Sequence, residues 1–138
     1  MTPAARLSAA IEVLADIESR RRPASDALKD WGLSHRFAGS GDRAGIAGLV
    51  YDALRRRASS VHVMGEATPR ATLLGMLKLE RGFDRDTIAR LLDGSRFAPE
   101  PLTEAEAAAL ESASLAGAPH HVAGDFPALE LELWAIRQ

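Results

Sequence analysis

The segment 41–57 constrains the fold of this chain most strongly, because it combines a helical apolar stripe with a cluster of arginines. Asp42 is a suitable N-cap, since its carboxylate can accept a hydrogen bond from a first-turn amide. Apolar residues then recur at helical spacing. They are Ile46, Leu49, Val50, Ala53, Leu54, Ala58, Val61 and Met64. The sequence therefore predicts a single long helix over residues 42–65.

Glycines inside predicted helices indicate where helices approach each other closely. A glycine within a helix costs about 1 kcal/mol relative to alanine. Gly45 and Gly48 carry this cost in the central helix, and Gly75 carries it in a later one. We therefore expect a neighbouring helix close to each of them.

Composition supports a helical protein of one main domain. The chain has 138 residues, and its hydrophobic content of 46% includes only 5% aromatic residues, so Ala, Leu, Ile and Val must build most of the core. Such a core favours close-packed helices over a sheet. The absence of cysteine excludes disulfides and thiolate chemistry and fits a cytoplasmic location. No apolar run reaches membrane-spanning length, so no membrane partner is expected.

Further segments carry helix signals, at residues 4–22, 23–31, 69–81 and 84–93, and a capping box begins at Thr103. The segment 69–81 is apolar around most of its circumference, with Leu74 near its centre, and we expect it to be the most buried helix. Together these patterns predict an all-α bundle of six to seven helices.

The arginines form two triplets whose roles the sequence leaves open. Arg20, Arg21 and Arg22 end the first helix, where cations either complement the helix dipole or contact phosphate. The second triplet is Arg55, Arg56 and Arg57. Arg55 and Arg56 either pair with Asp52 along the helix or contact phosphate as well. Arg57 falls within the apolar stripe, so we expect it to be structural and paired internally.

Charge is distributed unevenly along the chain. Residues 1–60 hold ten Lys/Arg against seven Asp/Glu, a net charge of +3, whereas residues 101–138 hold one against six, a net charge of −5. The overall charge of −2 therefore does not indicate whether one part of the surface is basic enough to bind nucleic acid. If the first and third helices are parallel, their arginines meet at one end of the bundle.

Three stretches resemble the NusB-like N-terminal domain of Sun/RsmB-type ribosomal RNA (cytosine-C5) methyltransferases. They are Gly-Asp-Arg-Ala…Leu-Val-Tyr-Asp-Ala-Leu-Arg-Arg (41–56), Thr-Pro-Arg-Ala…Leu-Gly-Met-Leu (68–77) and Phe-Ala-Pro-Glu-Pro-Leu-Thr-Glu-Ala-Glu (97–106). The resemblance covers residues 3–127. It implies a NusB-like helical domain over residues 1–115 and a linker over 116–138 that leads toward a catalytic domain.

The same resemblance implies an RNA-binding accessory module whose partners are ribosomal RNA and its own catalytic domain. The S-adenosylmethionine site and the catalytic cysteine belong to that separate domain, so no cofactor and no catalytic residue are expected in this chain. Residues 20–22, 55 and 56 would contact RNA. The alternative is a stand-alone NusB-like antitermination module that binds a ribosomal or transcription protein.

Three other features carry weaker functional signals. Trp31 could stack on a base, but its spacing beside Leu28 favours a place in the core. His120 and His121 have no third ligand at a useful spacing, so no metal site is predicted. The alternating segment 129–136 is interpreted as a frayed helix or an extended tail.

We expect Leu74→Ala to lower the free energy of unfolding by about 2–5 kcal/mol, because the cavity it leaves would be enclosed on all sides. Thermal or urea unfolding measures the change. A melting temperature that barely moves would show that this helix lies at the periphery of the bundle.

Overall fold

The computed structural model describes residues 1–113, and these form a bundle of α-helices without any strand. The helices are α1 (Pro3–Arg20), α2 (Ala24–Ser34), α3 (Ser40–Arg55), α4 (Arg57–Met64), α5 (Pro69–Leu79), α6 (Arg85–Leu91) and α7 (Glu104–Ser112). The predicted all-α bundle of six to seven helices is confirmed. The linker proposed for 116–138, the pair His120–His121 and the segment 129–136 lie outside the described residues.

Helix α5 lies at the centre of the bundle, as predicted. It begins at an N-cap threonine, Thr68, whose hydroxyl accepts a hydrogen bond from the amide of Ala71 at 3.1 Å. The next seven residues from Ala71 to Leu77 are all buried, and Leu74 is among them. Residues of α1, α3, α6 and α7 complete the same core cluster.

Helices α1 and α3 run parallel. Near their N-termini, the guanidinium of Arg6 donates to the carboxylate of Asp42 at 2.8 and 3.0 Å. Near their C-termini, Arg57 approaches Glu18, with 3.6 Å between nitrogen and oxygen. The ends of the two helices that carry the arginine triplets therefore lie at the same end of the bundle.

Asp42 supports the start of α3 from a position other than the predicted one. The helix begins two residues earlier, with Gly39 as its N-cap, and Asp42 is the third helical residue. Its carboxylate accepts a hydrogen bond from the amide of Gly39 at 3.3 Å. The hydrogen bond from Arg6 holds the pKa of Asp42 below its ordinary value. The residue is structural, but the prediction that it is the N-cap was wrong.

The long central helix predicted over 42–65 is divided in two at Arg56. This residue has φ −106° and ψ 18°, outside the helical range, and α4 begins directly after it. The break changes which residues face the core. Ser59 and Ser60 are buried, whereas the predicted stripe residues Val61 and Met64 are only half-buried. Small serines replace the apolar stripe because α4 lies very close to α5.

Two other helix ends differ from the predicted ones. Helix α1 ends at Arg20, and Arg21 takes left-handed backbone angles of φ 49° and ψ 49°. Helix α2 continues past residue 31, where its helix signal ends in the sequence, as far as Ser34. There the carbonyl oxygen of Trp31 lies 2.7 Å from Nδ1 of His35, so a side chain covers a carbonyl near the helix end.

The expectation of close helix contact holds at Gly75 but not at the two glycines of α3. A Cβ built on Gly75 would lie 2.4 Å from the Cβ of Ser60 and 2.7 Å from its Cα. At Gly48 the nearest atom would be a nitrogen of the Arg81 side chain at 3.7 Å, and at Gly45 it would be a nitrogen of the Arg6 side chain at 2.9 Å. Long, flexible side chains, and not helix backbones, lie over Gly45 and Gly48.

Alanine at the two kinds of glycine should have opposite effects on stability. Gly75→Ala should lower the free energy of unfolding by about 1–3 kcal/mol or more, because Ser60 and its backbone must move. Gly48→Ala should raise it by about 0.5–1 kcal/mol, because helix propensity improves without a clash. Urea unfolding of both variants checks the pair. Equal effects would contradict the close crossing of α4 and α5.

Candidate nucleic-acid interface

The three arginines of the first triplet, which the resemblance implies as RNA contacts, differ in exposure and in ion pairing. Arg22 forms ion pairs with Asp16, at 3.2 Å, and with Asp30 of α2. Arg20 is 67% exposed and donates a hydrogen bond to Asp16 of the same helix at 3.4 Å. Arg21 is exposed and forms no ion pair with a described residue. Two of the three side chains therefore remain accessible to an anion.

The second triplet is largely neutralised by carboxylates. Arg55 donates to Asp52 at 3.2 Å and also to Glu80, at the end of α5, while Arg56 donates to Glu80 at 2.9 Å. Arg81 donates to the other oxygen of Asp52 at 3.0 Å. These three arginines and two carboxylates form one network, which ties the end of α3 to the end of α5.

The titration of Glu80 reflects this network. Burial raises its pKa, but hydrogen bonds from Arg56 and Arg55 outweigh burial, so the pKa lies below the ordinary value. The carboxylate therefore stays ionised at neutral pH and holds both guanidiniums. A phosphate could reach Arg55 and Arg56 only by competing with Glu80.

Arg57 does not pair internally as expected. Its side chain is 49% exposed, and its ion pair with Glu18 lies at the surface. The break at Arg56 rotates this side chain out of the stripe that an unbroken helix would have given it. Together with Arg21, it lines a shallow depression between α1 and the start of α5.

A cationic depression lies between α2 and α3, and no arginine of either triplet lines it. The described residues that line it include Lys29, Arg36 and Arg43 and no acidic residue, and its volume is about 380 Å³. None of these three cations forms an ion pair with a described residue. The stem of Arg43 lies over Gly32, where a Cβ would come within 3.3 Å of Cδ. Gly32 therefore lets Arg43 lie close against α2.

An apolar groove of about 690 Å³ lies between α1 and the C-terminal end of α2. Four aromatic rings line it: Trp31, His35, Phe37 and Phe97. Trp31 packs against the core, as predicted, and stacks on His35 with 4.2 Å between ring centroids. His35 is half-buried in this stack.

One short segment of the sequence does carry a signal for the depression and the groove. The segment 31–41 contains no acidic residue, and Arg36 lies in it between His35 and Phe37. Aromatic residues interleaved with a cation in an acid-free segment are typical of surfaces that bind nucleic acid. Lys29 and Arg43 each stand beside an aspartate in the sequence, so only the structure reveals that they are unpaired.

Comparisons with known protein families, with curated proteins and with solved structures find no match to this chain. None of the described helices is long and apolar enough to cross a membrane. Within residues 1–113, no cluster of three or more histidines and carboxylates could hold a metal ion. The candidate interface is therefore interpreted from its own residues.

Glu80→Gln should lower the free energy of unfolding by about 1 kcal/mol at pH 7, because it removes the charge that Arg55 and Arg56 share. Because folding lowers the pKa of Glu80, its contribution is present above the ordinary value of 4.5 and is lost as the pH falls through the folded value. The difference between wild type and variant should therefore shrink toward pH 3.

Thermal unfolding between pH 7 and pH 3 measures this effect. Glu66→Gln is the matched control, since Glu66 is exposed and forms no ion pair with a described residue. A difference that stays constant over the whole pH range would show that the network does not stabilise the fold through charge.

Proposed function

We propose that this chain is an RNA-binding accessory module, with the cationic depression of Lys29, Arg36 and Arg43 as its phosphate-binding surface. The observation that supports the proposal is the absence of carboxylates among the described residues that line the depression. Three unneutralised cations from two helices and the intervening loop produce a local positive potential. Phosphates bound there release counterions, which favours association.

The paired arginines are less suited to be the main phosphate contacts. Arg22, Arg55 and Arg56 already bind carboxylates, so a phosphate would have to displace a partner that also stabilises the fold. Arg20 and Arg21 are more accessible, and we propose that they extend the contact at the end of α1. Of the residues first expected to bind RNA, these two fit the proposal best.

The resemblance to NusB-like domains of Sun/RsmB-type enzymes supports a more specific form of this proposal. In that form the RNA is ribosomal, and the module presents it to a separate methyltransferase domain that binds S-adenosylmethionine. Residues 1–113 then contribute affinity and orientation, and the chemistry belongs to the other domain. Holding an RNA in this way raises the effective concentration of its target base at the catalytic domain.

The apolar groove favours a second candidate function, an interaction module for a ribosomal or transcription protein. Leu33 is exposed on the same helix, and the groove is lined by aromatic and small side chains. Contiguous apolar surface of this kind is typical of protein interfaces. An apolar protein interface would be nearly insensitive to salt, whereas RNA binding weakens steeply as salt rises.

Replacing Lys29, Arg36 and Arg43 together with glutamate should weaken binding to a labelled, unstructured RNA oligonucleotide. It should also flatten the dependence of log affinity on log salt by about two units, since each lost contact to a single strand removes about 0.7. Fluorescence anisotropy at several salt concentrations measures both. The melting temperature should change little, because none of the three holds an ion pair with a described residue.

A charge control replaces Lys78, Arg85 and Arg90 with glutamate, which changes the net charge equally on a different part of the bundle. Because Arg85 pairs with Asp86 and Glu111, the melting temperature of this control is measured as well. If both triple variants lose the same affinity, net charge and not the depression explains the binding. Unchanged RNA affinity in the first variant would reject the depression, and a wild type that binds no RNA would reject the proposed function.

A further inference from the structure

Two phenylalanines are exposed to an extent that the fold does not require. Phe37 is 75% exposed and Phe97 is 65% exposed, although both line the apolar groove. Phenylalanine is normally among the more buried residue types, so exposed rings beside one groove indicate a binding surface. Neither ring belongs to the core cluster.

Contacts within the protein hold both phenylalanines, and one of them, from Arg96, lies over a face of the Phe97 ring. Ser8 of α1 donates a hydrogen bond to the carbonyl oxygen of Phe97 at 2.8 Å, which anchors that segment to α1. The ring of Phe37 meets His35 edge to face, with centroids 5.9 Å apart. Since Trp31 covers one face of His35, Phe37 and Phe97 provide the aromatic surface available to a ligand.

The charges around the groove favour a base inside it and phosphates outside it. The carboxylate of Glu12 lies inside the groove, where it accepts a hydrogen bond from the indole of Trp31 at 3.1 Å. A phosphate would be repelled there, whereas the amino groups of a base could donate to the same carboxylate. Cations lie outside: Arg36 precedes Phe37 in the chain, and the guanidinium of Arg96 lies 5.1 Å from the centre of the Phe97 ring.

We infer that the groove takes an unstacked base of single-stranded RNA, which stacks on Phe37 or Phe97 while the neighbouring phosphates bind the cationic depression. The inference rests on the proposed function and names its substrate class. Arg36 and Phe37 are consecutive residues, so a single strand can reach the depression and the groove together. A duplex cannot place a base in the groove unless it opens.

The test compares one RNA oligonucleotide as a single strand and in a blunt duplex, using fluorescence anisotropy on the full chain. Three variants are compared with wild type: Phe37→Leu and Phe97→Leu, which keep apolar area but lose the planar ring, and Phe37→Trp, which keeps it. The single strand should bind wild type more tightly than the duplex. At least one leucine variant should weaken single-strand binding by roughly 5- to 100-fold, the range expected for one lost stacking contact.

The remaining readouts separate the possible outcomes. Phe37→Trp should retain single-strand affinity, duplex affinity should not respond to any of the three variants, and the melting temperatures should stay close to that of wild type. Equal affinity for single strand and duplex, or unchanged binding in both leucine variants, would overturn the base-binding groove while leaving RNA binding by the depression intact. That outcome would favour a protein ligand for the groove. No binding of either RNA would overturn the proposed function itself.

Discussion

Burial of α5 on all sides is the constraint on which the rest of the bundle depends. Seven consecutive residues of this helix are shielded from water, so other helices must cover every face of it. Helix α4 covers one face only because Gly75 and Ser60 are small enough for the two backbones to come close together. The hydroxyl of Ser60 is buried there without a hydrogen-bond partner among residues 1–113, which costs free energy. That cost is offset by the close packing that the small side chains permit.

Local patterns predicted the helices well, and tertiary packing explains where they failed. The apolar stripes and the caps at Thr68 and Thr103 depend on neighbouring residues in one helix, so the sequence shows them directly. The break at Arg56 has no such signal, since no proline or glycine marks it. Buried serines were missed for a related reason. Hydrophobic periodicity predicts that polar side chains are exposed. At a close helix crossing, however, a side chain must be small, whether or not it is polar.

The candidate interface was harder to predict because clustered arginines attract carboxylates. Consecutive arginines at the end of α3 face Asp52 one turn earlier and Glu80 from another helix, and the resulting network stabilises the junction of the two helices. A cluster visible in the sequence is therefore a poor guide to free positive charge. The depression of Lys29, Arg36 and Arg43 has the opposite property: its members lie seven residues apart, and folding brings them together in a depression that no acidic described residue lines.

Helix α2 contributes to both the core and the candidate interface. Its packing shows which residues can be changed to test binding without disturbing stability. Only Ala24 and Ala27 of this helix are fully buried, so it rests on the bundle through small side chains and through Trp31. Trp31 contacts the core on one side and His35 on the other, so a change at this residue would disturb stability and binding together. Phe37 lies beyond the end of the helix and outside the core cluster. A loss of RNA affinity after a change at Phe37 therefore reports on the ligand, whereas the same loss after a change at Trp31 would also follow from a displaced helix.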